Sequence, residues 1–212
     1  MKHLIIIGTG AFARELYGHA KNSIGYGTSW DIKGYIDGDV KSPKEEVAKL
    51  KLPVLGDINN YVIHEDDVFT CAIATPVVRK RIIEFMLDKG AVFQSIIHNT
   101  CQIQEDAIIG KGVVLSPFCG INSCAKISDY VIMNMYCDAG HDAEIGEYTC
   151  MMGHVDITGF VNVGTCAYFG SGARVLPHGK IGNNAYIGAG SVVLKKVKDS
   201  DKVFGIPAIS IL

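Results

Sequence analysis

The sequence predicts two fold classes in one chain. Residues 1–95 read as an α/β, Rossmann-like βαβ domain, and residues 96–212 as an all-β parallel β-helix of hexapeptide repeats ending in a C-terminal tail. Three observations carry this. From Ile97 to Lys198 the chain divides into 17 six-residue units without insertion or deletion. Ahead of that run, Leu4-Ile5-Ile6-Ile7 passes through Gly8-Thr9-Gly10 into a helical stretch, the order strand, tight turn, helix. Glycine, at 24 of 212 residues, exceeds its usual share, as a repeated tight corner demands.

In chain order, Leu4 to Ile7 reads as a buried parallel strand and the stretch to about Lys21 as a helix. The Gly8-Thr9-Gly10 turn would let a phosphate approach backbone N–H groups at the helix start, where the macrodipole favours an anion. Ala13 stands in the third glycine's place, so an unliganded βα turn is an equal alternative on these residues alone. Asp31 to Ile36 reads as a second strand, ending at Asp37-Gly38-Asp39, where carboxylates could meet a ribose or base; a plain Asp-Gly turn is the alternative. Val40 to Leu52 reads as a polar segment. Val68 to Ala74 is a third strand, and Pro76 to Lys89 a helix with proline in its first turn and Gly90 at its end. Ala91 to Ile96 then leads into the first hexad, which puts the domain boundary near residue 95 with no flexible linker.

First hexad positions, from Ile97 to Val193, are all apolar, and fifth positions, from Cys101 to Val197, are all small or β-branched. A period of six matches neither a helix nor a plain strand, but it matches a short strand plus a corner. Three hexads then form one 18-residue turn, and nearly six turns at ~4.8 Å spacing give a prism roughly 27 Å long. Aliphatic first positions fill its middle. Cys101, Cys119 and Cys137, 18 apart, should stack on one wall, where a thiol in a place otherwise given to Ala or Val reads as an inert small hydrophobe rather than a metal or redox ladder.

Composition excludes several functions. A net charge of −2 leaves no basic stripe for nucleic acid. Seven cysteines with no CxxC spacing argue against a disulfide framework or zinc knuckle and for reduced thiols. The opening apolar run is too short for a signal segment, and no stretch of 18 apolar residues spans a bilayer, so a soluble cytoplasmic protein is expected. His141, His154 and His178 are separated by 13 and 24 residues, not multiples of 18. They do not share a wall, and a zinc site of the γ-class carbonic anhydrase kind is not expected. His141 falls at a third hexad position, outward at a corner and beside Asp142, where an imidazole can serve as a base near neutral pH. His154 and His178, at fourth positions, read as solvated corner residues.

Taken together, Gly8-Thr9-Gly10, Gly34-Tyr35-Ile36-Asp37, Asn134 followed by His141-Asp142, Ile145-Gly146-Glu147, Gly188-Ala189-Gly190-Ser191-Val192-Val193 and the closing Phe204-Gly205-Ile206-Pro207-Ala208 carry a resemblance over nearly the whole chain. The chain resembles the left-handed β-helix sugar acyltransferases of the sialic-acid and bacillosamine type, above all the N-acetyltransferases of nucleotide-linked amino sugars. The resemblance implies the left-handed sense of the coil, His141 as general base oriented by Asp142, and the Gly159 N–H as oxyanion donor. It further implies that Asn134 holds the acceptor, that Gly8, Thr9, Gly10 and Asp37 hold its nucleotide, and that Cys150, Ser171 and Ala189 line coenzyme A. A homotrimer with active sites between neighbouring prisms, acetyl-CoA as co-substrate and no metal belong to the same expectation. Gly140, Ala11 and Thr75 depart from close relatives and leave the acceptor open. The expected reaction is acetyl transfer to the amino group of a nucleotide-linked deoxyamino sugar. The alternatives are sugar O-acetylation, as in sialic-acid pathways, and a non-catalytic nucleotide-sugar-binding protein.

Overall fold

The computed structural model describes residues 1–38 and 43–211. Its N-terminal part is a four-stranded sheet of order β3-β2-β1-β4, all parallel, made by β1 (Lys2–Ile7), β2 (Trp30–Asp37), β3 (Val54–Asp57) and β4 (Asp67–Cys71). Helices α1 (Ala11–Ala20), α2 (Lys44–Val47) and α3 (Pro76–Asp88) connect or follow the strands. Leu4, Ile5, Ile6 and Ile7 are all buried because β1 lies between two neighbours and is covered on both faces. Gly34 lets β2 approach β3: a Cβ there would lie 2.6 Å from the Pro53 carbonyl oxygen.

The stretch read as merely polar, Val40 to Leu52, needs correction. It holds the one-turn helix α2 and leads directly into β3. Both were hidden for a physical reason: α2 buries no residue, and β3 is a sheet-edge strand whose Val54 is exposed, so neither shows a core-facing pattern. Asp39, which the sequence places at the end of β2, lies outside the described residues.

From Ile96 the chain winds as a parallel β-helix of two-residue strands on three walls. Wall one runs from Ile96–Ile97 to Lys202–Phe204, wall two from Gln102–Ile103 to Val192–Val193, and wall three from Ile108–Ile109 to Lys196–Val197. Register is one coil of 18 residues, as in Ile97 on Leu115 and Ala139 on Ile157. First-position side chains such as Met133, Phe169 and Ile187 fill the interior with the fifth-position Cys119, Ala125 and Val131. Fourth positions take left-handed backbone at every corner from Phe118 to Asn184, although most are not glycine. Each such residue costs roughly 1–2 kcal/mol. Stacked rings one coil apart offset part of that cost: Phe118 on Tyr136 at 4.9 Å, Tyr136 on His154 at 4.8 Å, Phe160 on His178 at 4.9 Å. His154 and His178 are exposed corner residues, as the sequence leads one to expect, and they also join these ring stacks.

The unbroken 17-unit period also needs correction at its end. Lys196–Val197 pairs with Lys180–Ile181, 16 residues earlier, and Lys202–Val203 pairs with Tyr186–Ile187, again 16. The four-residue corner Leu176-Pro177-His178-Gly179 is replaced one coil later by Leu194-Lys195 alone, whose Lys195 carbonyl accepts the Lys180 N–H at 2.6 Å. Val197 therefore occupies a first position on wall three and remains buried, which is why composition alone did not expose the shortened coil. The tail then turns back, Ile209–Ser210 pairing antiparallel with Lys202–Phe204 and closing the last coil.

The two parts share a core. Leu4, Leu16 and Trp30 pack with Val114, Ile132 and Cys150 of wall one, while Ile83 and Met86 of α3 join Tyr148 and Cys166 at the corner between walls three and one. The first coils of wall one and that corner are covered by the N-terminal part.

Candidate active site

His141 and Asp142 stand at the corner between walls two and three, on the coil that starts at Asp138–Ala139. The strict repeat puts residue 139 inward, so residues 140–142 make the corner and the imidazole leaves the prism. Asp142 has left-handed backbone, φ 56°, which brings its carboxylate back toward the preceding ring. His141 Nδ1 and Asp142 Oδ2 are 2.9 Å apart, with both side chains about half exposed, at 58% and 43%. If Nδ1 carries the proton, it donates to the carboxylate and leaves the Nε2 lone pair free. The ring is seated edge-on to Phe160 at 5.0 Å. Its Nε2 faces the backbone of Gly159, one coil below: a Cβ on residue 159 would lie 2.5 Å from it. The Gly159 N–H donates to no acceptor among the described residues. An imidazole, a carboxylate bonded to it and a backbone N–H without an acceptor are therefore gathered at one corner.

The remaining residues divide into three places. Asn134 follows the wall-one strand of the same coil, half-buried, its Oδ1 accepting the Met135 N–H at 2.8 Å. Ser171 and Ala189 lie on that edge too, one coil apart and exposed, with Gly170 making room for the Ala189 backbone. This is the edge between walls one and two, so within one chain wall two separates Asn134, Ser171 and Ala189 from His141. Cys150 belongs to neither edge. It is wholly buried on wall one beneath Leu4 and Leu16, with its thiol pushed up by burial despite the nearby Arg79. A coenzyme-lining role for Cys150 is corrected accordingly: no ligand reaches it, and it serves as packing.

The sequence cannot show this, because a hexad position tells which wall a residue is on but not what covers that wall. Cys101, Cys119 and Cys137 do stack, each thiol pointing at carbonyls of the next coil, as Cys119 Sγ at 3.2 Å from the Asn134 oxygen. Burial pushes Cys137 up to about 12, which keeps it a neutral thiol.

Gly8, Thr9, Gly10 and Asp37 converge at the carboxyl ends of β1 and β2. Gly8 has φ 105°, and Thr9, almost fully buried, donates its hydroxyl to Asp37 Oδ2, while Oδ1 accepts the Gly38 N–H at 2.9 Å. Beside them opens a pocket of about 690 Å³ lined by Thr9, Asp37, Lys44, Val47, Val54 and Asp57. Lys44, Val47, Val54 and Asp57 were not found by sequence reasoning. Their one signal was Val54-Leu55-Gly56-Asp57, a short apolar pair ending in Gly-Asp as the second strand ends in Asp37-Gly38. Because β1 is followed to one side by β2 and on the other by β4, the crevice between β1 and β4 is the switch point where such sheets bind ligands.

Among the described residues no cluster of His, Cys, Asp and Glu is arranged to hold a metal ion, and no helix is long and apolar enough to cross a membrane.

With this geometry in place, comparison with known proteins defines the class. Residues 3–86 match the family model described as the PglD N-terminal domain. The whole chain is similar in structure to the acetyltransferase domain of PglB from Neisseria gonorrhoeae FA1090, with 23% identity, a TM-score of 0.88, and 100% of each chain covered. Perosamine N-acetyltransferase from Caulobacter crescentus, as a histidine-to-asparagine mutant with CoA and GDP-perosamine, gives 25% identity and a TM-score of 0.88 over 99% of this chain and 97% of that one. WeeI from Acinetobacter baumannii AYE gives 25% identity and a TM-score of 0.87 over 100% of both. No curated protein matches the sequence. The fold is thus a left-handed parallel β-helix of hexapeptide repeats that follows a PglD-type N-terminal domain. Within the matches, the chain is similar to sugar N-acetyltransferases.

Proposed function

We propose that this protein transfers the acetyl group of acetyl-CoA to the amino group of a nucleotide-linked deoxyamino sugar. The observation that carries the reading is the His141–Asp142 pair at 2.9 Å with Nε2 beside the backbone of Gly159, whose N–H has no acceptor among the described residues. Asp142 holds the Nδ1 proton, so Nε2 accepts the proton that the amine loses as its nitrogen attacks the thioester carbonyl. The Gly159 N–H meets the oxyanion of the tetrahedral intermediate. Collapse expels the CoA thiolate, which takes the proton from the imidazolium. No covalent enzyme intermediate is needed, and the cysteines stay outside the reaction.

Gly8, Thr9, Gly10 and Asp37 hold the nucleotide, with the base in the adjoining pocket. Asn134 serves the acceptor, and Ser171 and Ala189 border coenzyme A. These three lie across wall two from His141 in one chain, so the complete site forms between neighbouring copies of a homotrimer. Similar structures bind CoA with GDP-perosamine, and acetyl-CoA in the case of PglB, which supports donor and acceptor class alike. The reaction belongs in the cytoplasm, where its thioester donor circulates.

The test is CoA release from acetyl-CoA across a panel of nucleotide amino sugars and their hydroxyl counterparts, with wild type and His141→Ala. Turnover should need an amine acceptor and fall about 100-fold or more in the variant, with CoA binding kept. Turnover only with hydroxyl acceptors would establish O-acetylation instead, and binding without turnover on any acceptor would leave a nucleotide-sugar-binding protein.

A further inference from the structure

Arg79 heads the fully buried side chains of the described residues by size, with 1% exposure. It has no carboxylate partner there. One terminal nitrogen donates to the Ile73 and Ala74 carbonyls at 2.8 and 3.2 Å, the other to those of Tyr148 and Thr149 at 2.6 and 3.1 Å, and its Nε has no acceptor. The flanking thiols do not balance it: burial pushes Cys71 up to about 12 and raises Cys150, so both stay neutral. A buried cation without a counter-ion is costly, and an apolar side chain of similar size would serve packing better.

The acceptors indicate what the charge is for. Ile73-Ala74-Thr75 is the turn between β4 and α3, at the switch point, and Ile73 Cδ1 lies 3.2 Å from where a Gly8 Cβ would stand. In a trans peptide the C=O and the following N–H point in opposite directions. With the Ile73 and Ala74 carbonyls drawn to Arg79, the N–H groups of Ala74 and Thr75 face away from the guanidinium, and neither donates to any acceptor among the described residues. Two helix N-termini open on the same crevice, those of α1 and α3, each without a side-chain cap and without an acidic residue in its first turn. Backbone N–H groups, two helix dipoles and a buried cation all favour an anion there.

We propose that Arg79 is a positioning residue for the acceptor's diphosphate. Its buried charge counterbalances the phosphates, and its carbonyl bonds turn the Ala74 and Thr75 N–H groups toward them. The same side chain, bonded to Tyr148 and Thr149, fixes that turn on the coil that carries His141. The inference rests on the nucleotide-sugar reading above and adds a residue and a charge to it.

Binding of GDP, UDP and the parent nucleosides to the full chain tests it, in wild type, Arg79→Met and Arg79→Lys, with KM for acetyl-CoA measured alongside. For whichever diphosphate wild type prefers, Arg79→Met should bind at least tenfold more weakly, with nucleoside affinity within twofold and KM for acetyl-CoA unchanged. Arg79→Lys keeps the charge and should stay within about threefold of wild type, even with a lowered melting temperature. Equal loss of nucleoside and diphosphate in Arg79→Met would overturn the proposal by showing a structural role alone. So would a tenfold loss of diphosphate affinity in folded Arg79→Lys, which serves if the methionine variant does not fold. Wild type that binds neither GDP nor UDP would overturn the acceptor reading as well, which separates that failure from one confined to Arg79.

Discussion

A methyl group on residue 159 would stand 2.5 Å from His141 Nε2, well inside contact distance, so Gly159→Ala must push the imidazole off its seat on Phe160. The backbone there is not left-handed and tolerates alanine, so the change acts on the ring and not on the coil. A displacement of about 1 Å at a reacting group costs up to ~100-fold in rate. Gly159→Ala should therefore lower kcat about 10- to 100-fold at nearly unchanged melting temperature; steady-state kinetics with wild-type kcat would show that the ring is not placed by this contact. The outward direction of His141 was legible because in a strict period the position alone sets the direction. Arg79 was not legible. Within the basic run Arg79-Lys80-Arg81 of a predicted helix it reads as solvated, and its acceptors at Tyr148 and Thr149 are 69 and 70 residues away. Cys150 failed for the same reason, since the part of the chain that buries it lies far off in sequence.

Among the elements, α1 meets the first coil through two histidines. His19, in the last turn of α1, and His98 lie edge to face with ring centroids 6.2 Å apart, and His19 Nδ1 is buried without a partner. Burial, and secondarily His98, lowers the pKa of His19, and burial lowers that of His98. A charged His19 would suit the helix C-terminus, yet burial outweighs that gain. The unfolded chain therefore takes up protons near the ordinary value of about 6.5, while the folded chain resists until lower pH. Stability from this junction is present above that value and lost as pH falls through the two lowered pKa values. Melting temperature should hold between pH 8 and 7 and decline toward pH 5, and His19→Gln should flatten the decline; parallel slopes for both proteins would place the pH sensitivity elsewhere. The core-facing strands and both longer helices were legible from periodicity. Edge strand β3 and the shortened last coil were not, because one has a half-exposed pattern and the other keeps an apolar residue, Val197, at the place where the period slips.

At the scale of the whole molecule, the two long prism faces not covered by the N-terminal part differ. Wall three presents Lys126 paired with Glu144 at 2.7 Å, and Lys180. Wall two is bordered by exposed apolar side chains: Phe118 and Tyr136 along one edge, and Phe160, Leu176 and Leu194 along the other. Apolar area of this kind left in water is unfavourable by about 25 cal/mol per Å², and its concentration around one wall supports the proposal that another copy covers it. The same wall separates His141 from Asn134, Ser171 and Ala189, so covering it with a neighbouring copy brings the two halves of the site together across the interface. Leu176→Glu combined with Leu194→Glu places carboxylates along the edge of that wall at two residues that are 38% and 50% exposed in the single chain. Wild type should run in light scattering at three times the chain mass of 22.9 kDa. The double variant should run as single chains with unchanged circular dichroism and little or no turnover, because in a single copy wall two holds the two edges of the site apart. A wild-type monomer that turns over acetyl-CoA would show that one prism suffices, and Asn134, Ser171 and Ala189 would then lose their assigned places beside His141.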